Sequence, residues 1–153
     1  MSTPLRRITA VVIATLILLY ATAALIRVNP EEQRPGLRLS GTVDATVAPD
    51  WSAMVPRQKV WLQTHPWYGI PHSVTTVSFV HAGELYIPCA RCADKRWPAI
   101  VAANDTVVVK VDDLLYQRRA VRVTDTQLRR QILNLPPDDP RSDVYLYHMA
   151  PPG

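Results

Sequence analysis

The residues from 8 to 26 carry no charge, and this unbroken apolar run constrains the chain more than any other feature. Isoleucine, leucine, valine and alanine dominate its 19 positions. At a rise of about 1.5 Å per residue, a helix of this length approaches the ~30 Å thickness of the hydrocarbon core of a bilayer. Residues 8–26 are therefore predicted to form a transmembrane anchor.

Two arginines, Arg6 and Arg7, precede this run. The positive-inside tendency then keeps residues 1–7 in the cytoplasm and places the rest of the chain across the membrane. In a bacterial inner membrane this gives a single-pass protein with a periplasmic C-terminal domain. A cleaved secretory signal is one alternative, because Ala21-Thr22-Ala23 fits a small-residue cleavage site and would release a secreted form. A buried helix of a soluble protein is the other.

The 153-residue chain leaves room for one domain after the apolar run. Residues 27–36 contain Pro30 and Pro35 and are predicted to be a stalk, followed by a domain over residues 37–153. Two of the 17 Lys and Arg residues precede the apolar run, so 15 remain against 13 Asp and Glu. This balance is too weakly basic to predict binding to nucleic acid.

The exported part alternates between short strand patterns and turn residues. Strands are predicted at 37–47, 59–64, 73–80, 84–87, 106–111, 114–123 and 144–148, and short helices at 95–103 and 125–133. Asp125 is the expected cap of the second helix, with Thr124 as the alternative. Closing such a sheet removes its exposed edges. The predicted fold class is therefore mainly β: a small antiparallel barrel of about six strands and two short helices, preceded by one transmembrane helix.

Residues 70–125 carry a family resemblance. Its segments are Pro71 to Val80, Gly83 to Ile87, Lys95-Arg96-Trp97, Asn104 to Val109 and Tyr116 to Asp125. In order and spacing they resemble the flavin-binding split-barrel superfamily, both pyridoxamine phosphate oxidase-like proteins and deazaflavin-dependent nitroreductases. The likeness covers a little over a third of the chain, and no single motif in it is diagnostic. It implies a split barrel that forms a homodimer, with FMN or a deazaflavin in the groove between the two barrels.

The resemblance also implies which residues hold the cofactor. Lys95, with Arg96 beside it, matches the basic position near the flavin phosphate, while His72, Val74 and Thr76 match positions that face the flavin ring. The alternative for Lys95 and Arg96 is a solvated pair before a core tryptophan. The preceding loop departs from the family pattern, because it carries Asp94, which would repel a phosphate.

Three functions therefore stay open. The first is a membrane-anchored oxidoreductase that uses FMN or a deazaflavin, and the second is a cofactor-free barrel that binds a partner in the cell envelope. The third and weakest is a thiol redox protein that uses Cys89 and Cys92. An exported oxidoreductase would need its cofactor exported too, and electrons from a source outside the cytoplasm. The sequence assigns no catalytic residue: it contains no G-x-S-x-G, no P-loop and no paired-carboxylate motif.

Cys89 and Cys92 are the only cysteines and form a C-x-x-C pair. In an oxidising compartment a disulfide is expected if the loop brings their Cα atoms to about 6 Å. A redox-active pair is the alternative, since Arg91 between them could lower a thiolate pKa. Ala93 rules out the haem-attachment pattern C-x-x-C-H, and no second ligand pair supports zinc, so no metal site is predicted.

Aromatic and basic side chains outside these motifs suggest packing roles. Trp61, Trp67, Tyr68 and Trp97 are predicted to form core and rim contacts of the barrel. Arg118 and Arg122 share one strand face, for which a solvated outer face is predicted and an anion site is the alternative.

Overall fold

A computed structural model describes residues 3–136 and 144–153. The chain begins with helix α1, Thr3–Leu25, whose side chains are largely exposed. Within the described residues, Pro4–Leu25 is the one helix long and apolar enough to cross a membrane, a test that a signal sequence also passes. The helix that an anchor requires is present, and its orientation stays a prediction.

Eight strands, two further α-helices and a 3-10 turn follow. The strands are β1 (Thr42–Asp44), β2 (Lys59–Thr64), β3 (His72–Val77), β4 (Phe79–His81), β5 (Glu84–Cys89), β6 (Thr106–Val111), β7 (Leu114–Arg122) and β8 (Tyr145–Ala150). The helices are α2 (Arg96–Ala103) and α3 (Thr126–Leu133), and the 3-10 turn is Cys92–Asp94. The strands lie in the order β3-β2-β6-β7-β8-β5-β4, all antiparallel, and β1 adds to β7 in parallel. The predicted, mainly antiparallel barrel is confirmed.

The sheet curls because β3 and β4 are two halves of one bent strand. β3 pairs with β2, whereas β4 pairs with β5 at the opposite end of the strand order. Ser78 lies between the halves; it is fully buried, and its backbone N–H donates to the Gln58 carbonyl at 2.9 Å. The predicted strand 73–80 therefore changes partner at Ser78. This change helps to bring the strand count to eight, where about six were expected.

The interior is filled by alternating residues of β2, β5 and β6. Val60, Leu62, Ile87, Val107 and Val109 have no exposed surface, and burying such a side chain contributes about 1.5–3 kcal/mol. On the outer face, α3 covers a smaller cluster of Tyr86, Ile132 and Leu146.

Asp125 caps α3 as predicted. One of its carboxylate oxygens accepts hydrogen bonds from the backbone N–H groups of Gln127 at 2.8 Å and Leu128 at 3.2 Å. These bonds satisfy two of the N–H groups that a helix start leaves without intrahelical partners.

The predicted outer face of β7 is wrong for Arg118. Tyr116, Arg118 and Ala120 point inward, and Arg118 is only 2% exposed. Its guanidinium donates to the carbonyls of Val47 at 2.7 Å and Thr46 at 3.2 Å. The loop before β2 therefore supplies the polar partners that let an arginine occupy the interior.

The segment predicted as a stalk lies against the barrel. Gly36 and Ser73 exchange backbone hydrogen bonds at 2.9 and 3.0 Å, so residue 36 pairs with the outer edge of β3. The Trp61 indole N–H donates to the Pro30 carbonyl at 3.2 Å. Residues 28–36 thus form one wall beside β3. The proposed division of the chain at residue 37 stays a prediction.

Candidate functional site

One cavity of about 470 Å³ is lined by all five residues predicted to hold a cofactor. His72, Val74 and Thr76 reach it from alternate positions of β3, as a strand requires for side chains on one face. Lys95 is the extended residue at the N-cap position of α2, and Arg96 begins that helix. The volume lies within the range of small-molecule sites. We call this cavity and its lining the β3 cleft.

Three further charged side chains line the β3 cleft and were not predicted: Glu32, Arg34 and Arg91. Arg34 belongs to a tight turn in which its N–H donates to the Glu31 carbonyl at 2.7 Å. Arg91 has a left-handed backbone with φ of 50°. The sequence shows these arginines, but only the fold brings residues 34 and 91 to the same cavity. Together with Lys95 and Arg96, the two arginines bring the lining to four cations against one carboxylate, that of Glu32.

The cations of the β3 cleft face it without carboxylate partners in the described part of the chain. The ion pairs found there are Lys110–Asp113, Arg119–Asp105 and, when the histidine is protonated, His148–Glu84. Arg96 donates to the Tyr68 hydroxyl at 2.5 Å. Asp94, expected to repel a phosphate, is not part of the lining. The cleft therefore offers a net positive field to an anion.

Two neighbouring cavities share lining residues with the cleft. One of about 800 Å³ shares Glu32, Arg34 and Thr75 with it and adds Glu31, Lys59 and Trp61. The other, of about 370 Å³, shares Thr75, Thr76 and Lys95 and adds Arg57 and Phe79. Each neighbouring cavity adds one cation, Lys59 or Arg57, and the larger cavity also adds the carboxylate of Glu31.

The environment of His72 favours the neutral form of its imidazole. Burial lowers the pKa of its imidazole, and the positive charge of Arg96 lowers that pKa further. A neutral imidazole can donate one hydrogen bond and accept another. Together with Val74 it gives the β3 wall an apolar surface and a hydrogen-bonding group. That surface suits a planar ring, while the cations suit an attached phosphate.

The structure joins Cys89 and Cys92 in a disulfide whose Cα atoms are 5.5 Å apart. Both cysteines are buried. The bond closes the loop that carries Arg91 and leads directly into Lys95, so it shapes one wall of the β3 cleft. A thiol redox role stays a prediction. Within residues 3–136 and 144–153, no group of three or more potential metal-ligating side chains occurs.

No family model and no curated protein matches the sequence. The structure is similar to that of a protein of unknown function from Agrobacterium tumefaciens, with 18% identity and a TM-score of 0.50. That match covers 64% of this chain and 50% of the other, so this chain spans half the length of that protein.

The structure is also similar to a protein from Bacteroides thetaiotaomicron that is provisionally assigned to 5-nitroimidazole antibiotic resistance. The identity is 11% and the TM-score 0.50, over 63% of this chain and 74% of the other. The fold is a split barrel. This confirms the fold that the resemblance implied; at these identities the likeness bears on fold alone.

Proposed function

We propose that this chain is a membrane-anchored split-barrel protein that binds a phosphorylated flavin or deazaflavin in the β3 cleft. One observation carries the proposal: four cations surround the same cavity that the predicted ring-facing residues of β3 line. In this proposal residues 8–26 anchor the chain by a single pass, and the barrel lies on the periplasmic side.

The residues of the cleft fit such a cofactor in charge and shape. Arg34, Arg91, Lys95 and Arg96 would hold the phosphate, since guanidinium and ammonium groups form the strongest hydrogen bonds to phosphate oxygens. The first turn of α2 adds a partial positive charge. The wall of β3 would position the ring. A bound flavin or deazaflavin supplies hydride and electron transfer, which would make the protein an oxidoreductase.

A homodimer is part of the proposal. In the superfamily that the sequence resembles, a second barrel completes the groove that holds the flavin. Here β3 pairs with β2 on one edge, and on its other edge Gly36 bridges it at Ser73. We expect a second copy to cover the remaining open side of the cleft. Chemical cross-linking of the full-length protein in detergent should give a dimer.

The proposal is tested on the full-length protein purified in detergent. Visible absorption reports any cofactor that copurifies, and fluorescence titration measures the affinities for FMN and for a deazaflavin. An arginine that donates a charge-assisted hydrogen bond contributes about 1.5–3 kcal/mol. Because Arg91 is exposed, the lower value applies, and Arg91→Ala should weaken binding about tenfold.

Arg130→Ala is the matched control, since Arg130 is an exposed arginine on α3 that does not line the cleft. Equal loss in both variants would show that binding is not located in the β3 cleft. A colourless protein that binds neither FMN nor the deazaflavin would refute the proposal and favour the cofactor-free envelope module.

A further inference from the structure

We infer that the turn at residues 66–69 rests in the headgroup region of the bilayer, with Trp67 inserted among the lipids. This inference goes beyond the cofactor proposal and rests only on its anchoring part, that α1 crosses a membrane. The occupant of this surface is phospholipid.

Trp67 is the first observation. Its side chain is 97% exposed, although the sequence predicts a packing role for it. The other tryptophans differ: Trp51 is 5% and Trp97 3% exposed, and Trp61 is half-buried. Tryptophan is enriched at membrane–water interfaces because its ring is apolar and its indole N–H is polar. Lipid beside the barrel would therefore bury the apolar ring of Trp67, which is otherwise exposed to water.

The second observation is that this turn contacts α1. The Tyr20 hydroxyl donates to the Tyr68 carbonyl. Gly69 has φ of +78°, and a Cβ added there would lie 2.7 Å from the Tyr20 hydroxyl oxygen, so the turn and the helix approach closely. Tyr20 precedes Leu25, the last helical residue, by about 7.5 Å along the helix axis. The turn therefore meets the helix within its apolar span.

A second tie holds the barrel at the same end of α1. The Arg38 guanidinium donates through two nitrogens to the Ala24 carbonyl, both at 3.3 Å. A cation at the last carbonyls of a helix is also favoured by the helix dipole. With both ties in place, a bilayer crossed by α1 would reach the turn that carries Trp67.

The chemistry of the surrounding surface agrees with a lipid interface. A depression of about 620 Å³ beside Trp67 is lined by apolar residues of the turn and of α2, together with polar groups: Pro66, Ala99, Ile100, Ala103, Arg96 and Asn104. The Arg96 guanidinium lies 5.5 Å from the centre of the Tyr68 ring. A basic side chain over the Tyr68 ring matches the composition of interfacial belts, in which aromatic and long basic side chains lie at the headgroup level.

The test uses the full-length protein reconstituted into phospholipid vesicles. Lipids brominated near the headgroup end of their acyl chains quench tryptophan emission at the interface, and iodide quenches tryptophans in water. We expect the brominated lipids to quench the wild type and Trp67→Phe to remove most of that quenching. Trp61→Phe is the matched control and should retain it.

Flotation of the vesicles separates this inference from the anchoring on which it rests. If the protein floats with the vesicles, but Trp67→Phe removes iodide quenching and leaves lipid quenching unchanged, then Trp67 faces water and the inference is wrong although the anchor stands. If the protein does not float, the anchor and the inference both fail. The weaker FMN binding expected of Arg91→Ala should change neither the flotation nor the quenching.

Discussion

The guanidinium of Arg118 is buried, and no carboxylate of the described residues lies within 4 Å of it. Replacing Arg118 with methionine tests which contacts stabilise this side chain inside the barrel. Burial lowers the pKa of the guanidinium, which shows that desolvation opposes the charge. Its Nε has no hydrogen-bond partner within that part of the chain. The carbonyls of Thr46 and Val47 and the Trp51 ring, 5.6 Å away, offset this cost.

The expected magnitude follows from these contacts. Two charge-assisted hydrogen bonds are lost in Arg118→Met, at about 1.5–3 kcal/mol each. Part of this is regained because the carbonyls of the exposed Thr46 and Val47 can bind water, and because the buried charge is removed. Methionine fills most of the space, so little cavity cost is added. We expect a net destabilisation of about 2 kcal/mol, and about 4 kcal/mol for Arg118→Ala, which also leaves a cavity.

Urea unfolding of the full-length protein in detergent, followed by tryptophan fluorescence, measures the free energy of unfolding. Limited proteolysis supplies a local readout, because the loop over residues 45–58 should be cleaved faster once Arg118 no longer holds it. A methionine variant as stable as the wild type, with an unchanged cleavage rate, would refute the account. The guanidinium would then contribute nothing net to stability.

Three further outcomes follow from the fold and the cleft. Cys92→Ser removes a disulfide that closes only a short loop, so the variant should lose at most about 2 kcal/mol of stability in urea. It should nevertheless bind FMN more weakly, because that loop carries Arg91. An unchanged FMN affinity would show that the disulfide does not shape the cleft. The fold lowers the pKa of His72 below its ordinary value of 6.5. As the pH falls below 6.5, the unfolded chain therefore binds more protons than the folded one, and stability falls. His72→Asn should make that fall shallower in unfolding curves measured across pH. Asp125→Ala removes the cap of α3 and should cost about 1 kcal/mol in thermal unfolding, whereas Asp125→Asn should cost less.

The sequence predicted the strands best where one face is continuously apolar. The bounds of β2 and β6 match the predicted strands 59–64 and 106–111, because Val60, Leu62, Val107 and Val109 point into the core at every second position. The break at Ser78 could not be predicted. It depends on a change of pairing partner, and a buried serine that bonds to Gln58 has no signature in a β-rich run.

The inward face of β7 was harder to assign for a physical reason. Its sequence, from Leu114 to Arg122, places apolar residues next to one another and has arginines at both 118 and 119. Alternation therefore gave two faces but did not say which one was buried. Only the carbonyls of Thr46 and Val47, more than 70 residues away in sequence, decide that Arg118 points inward.

Some residues of the candidate site could be predicted from the sequence, and others could not. The resemblance assigned the residues from β3 and the start of α2, which lie close in sequence to its segments. Arg34 was missed because its segment reads as a polar stalk, and Arg91 was considered only for its effect on the neighbouring thiols. A charge count cannot place either one. Their positions depend on the pairing of Gly36 with Ser73 and on the loop closed by Cys89 and Cys92.

Arg96 is shared by the β3 cleft and the depression beside Trp67. Its guanidinium donates to the Tyr68 hydroxyl, and the Tyr68 carbonyl accepts from the Tyr20 hydroxyl of α1, so a chain of contacts runs from α1 to the cleft. If this chain only connects two independent sites, Trp67→Phe should leave FMN affinity unchanged both in detergent and in vesicles. If insertion of Trp67 positions Arg96, the wild type should bind FMN more tightly in vesicles than in detergent, and Trp67→Phe should abolish the difference. The structure favours the second outcome, because Arg96 reaches the Tyr68 hydroxyl at 2.5 Å and its guanidinium cannot move without losing that bond. Equal affinities of the wild type in the two environments would contradict it.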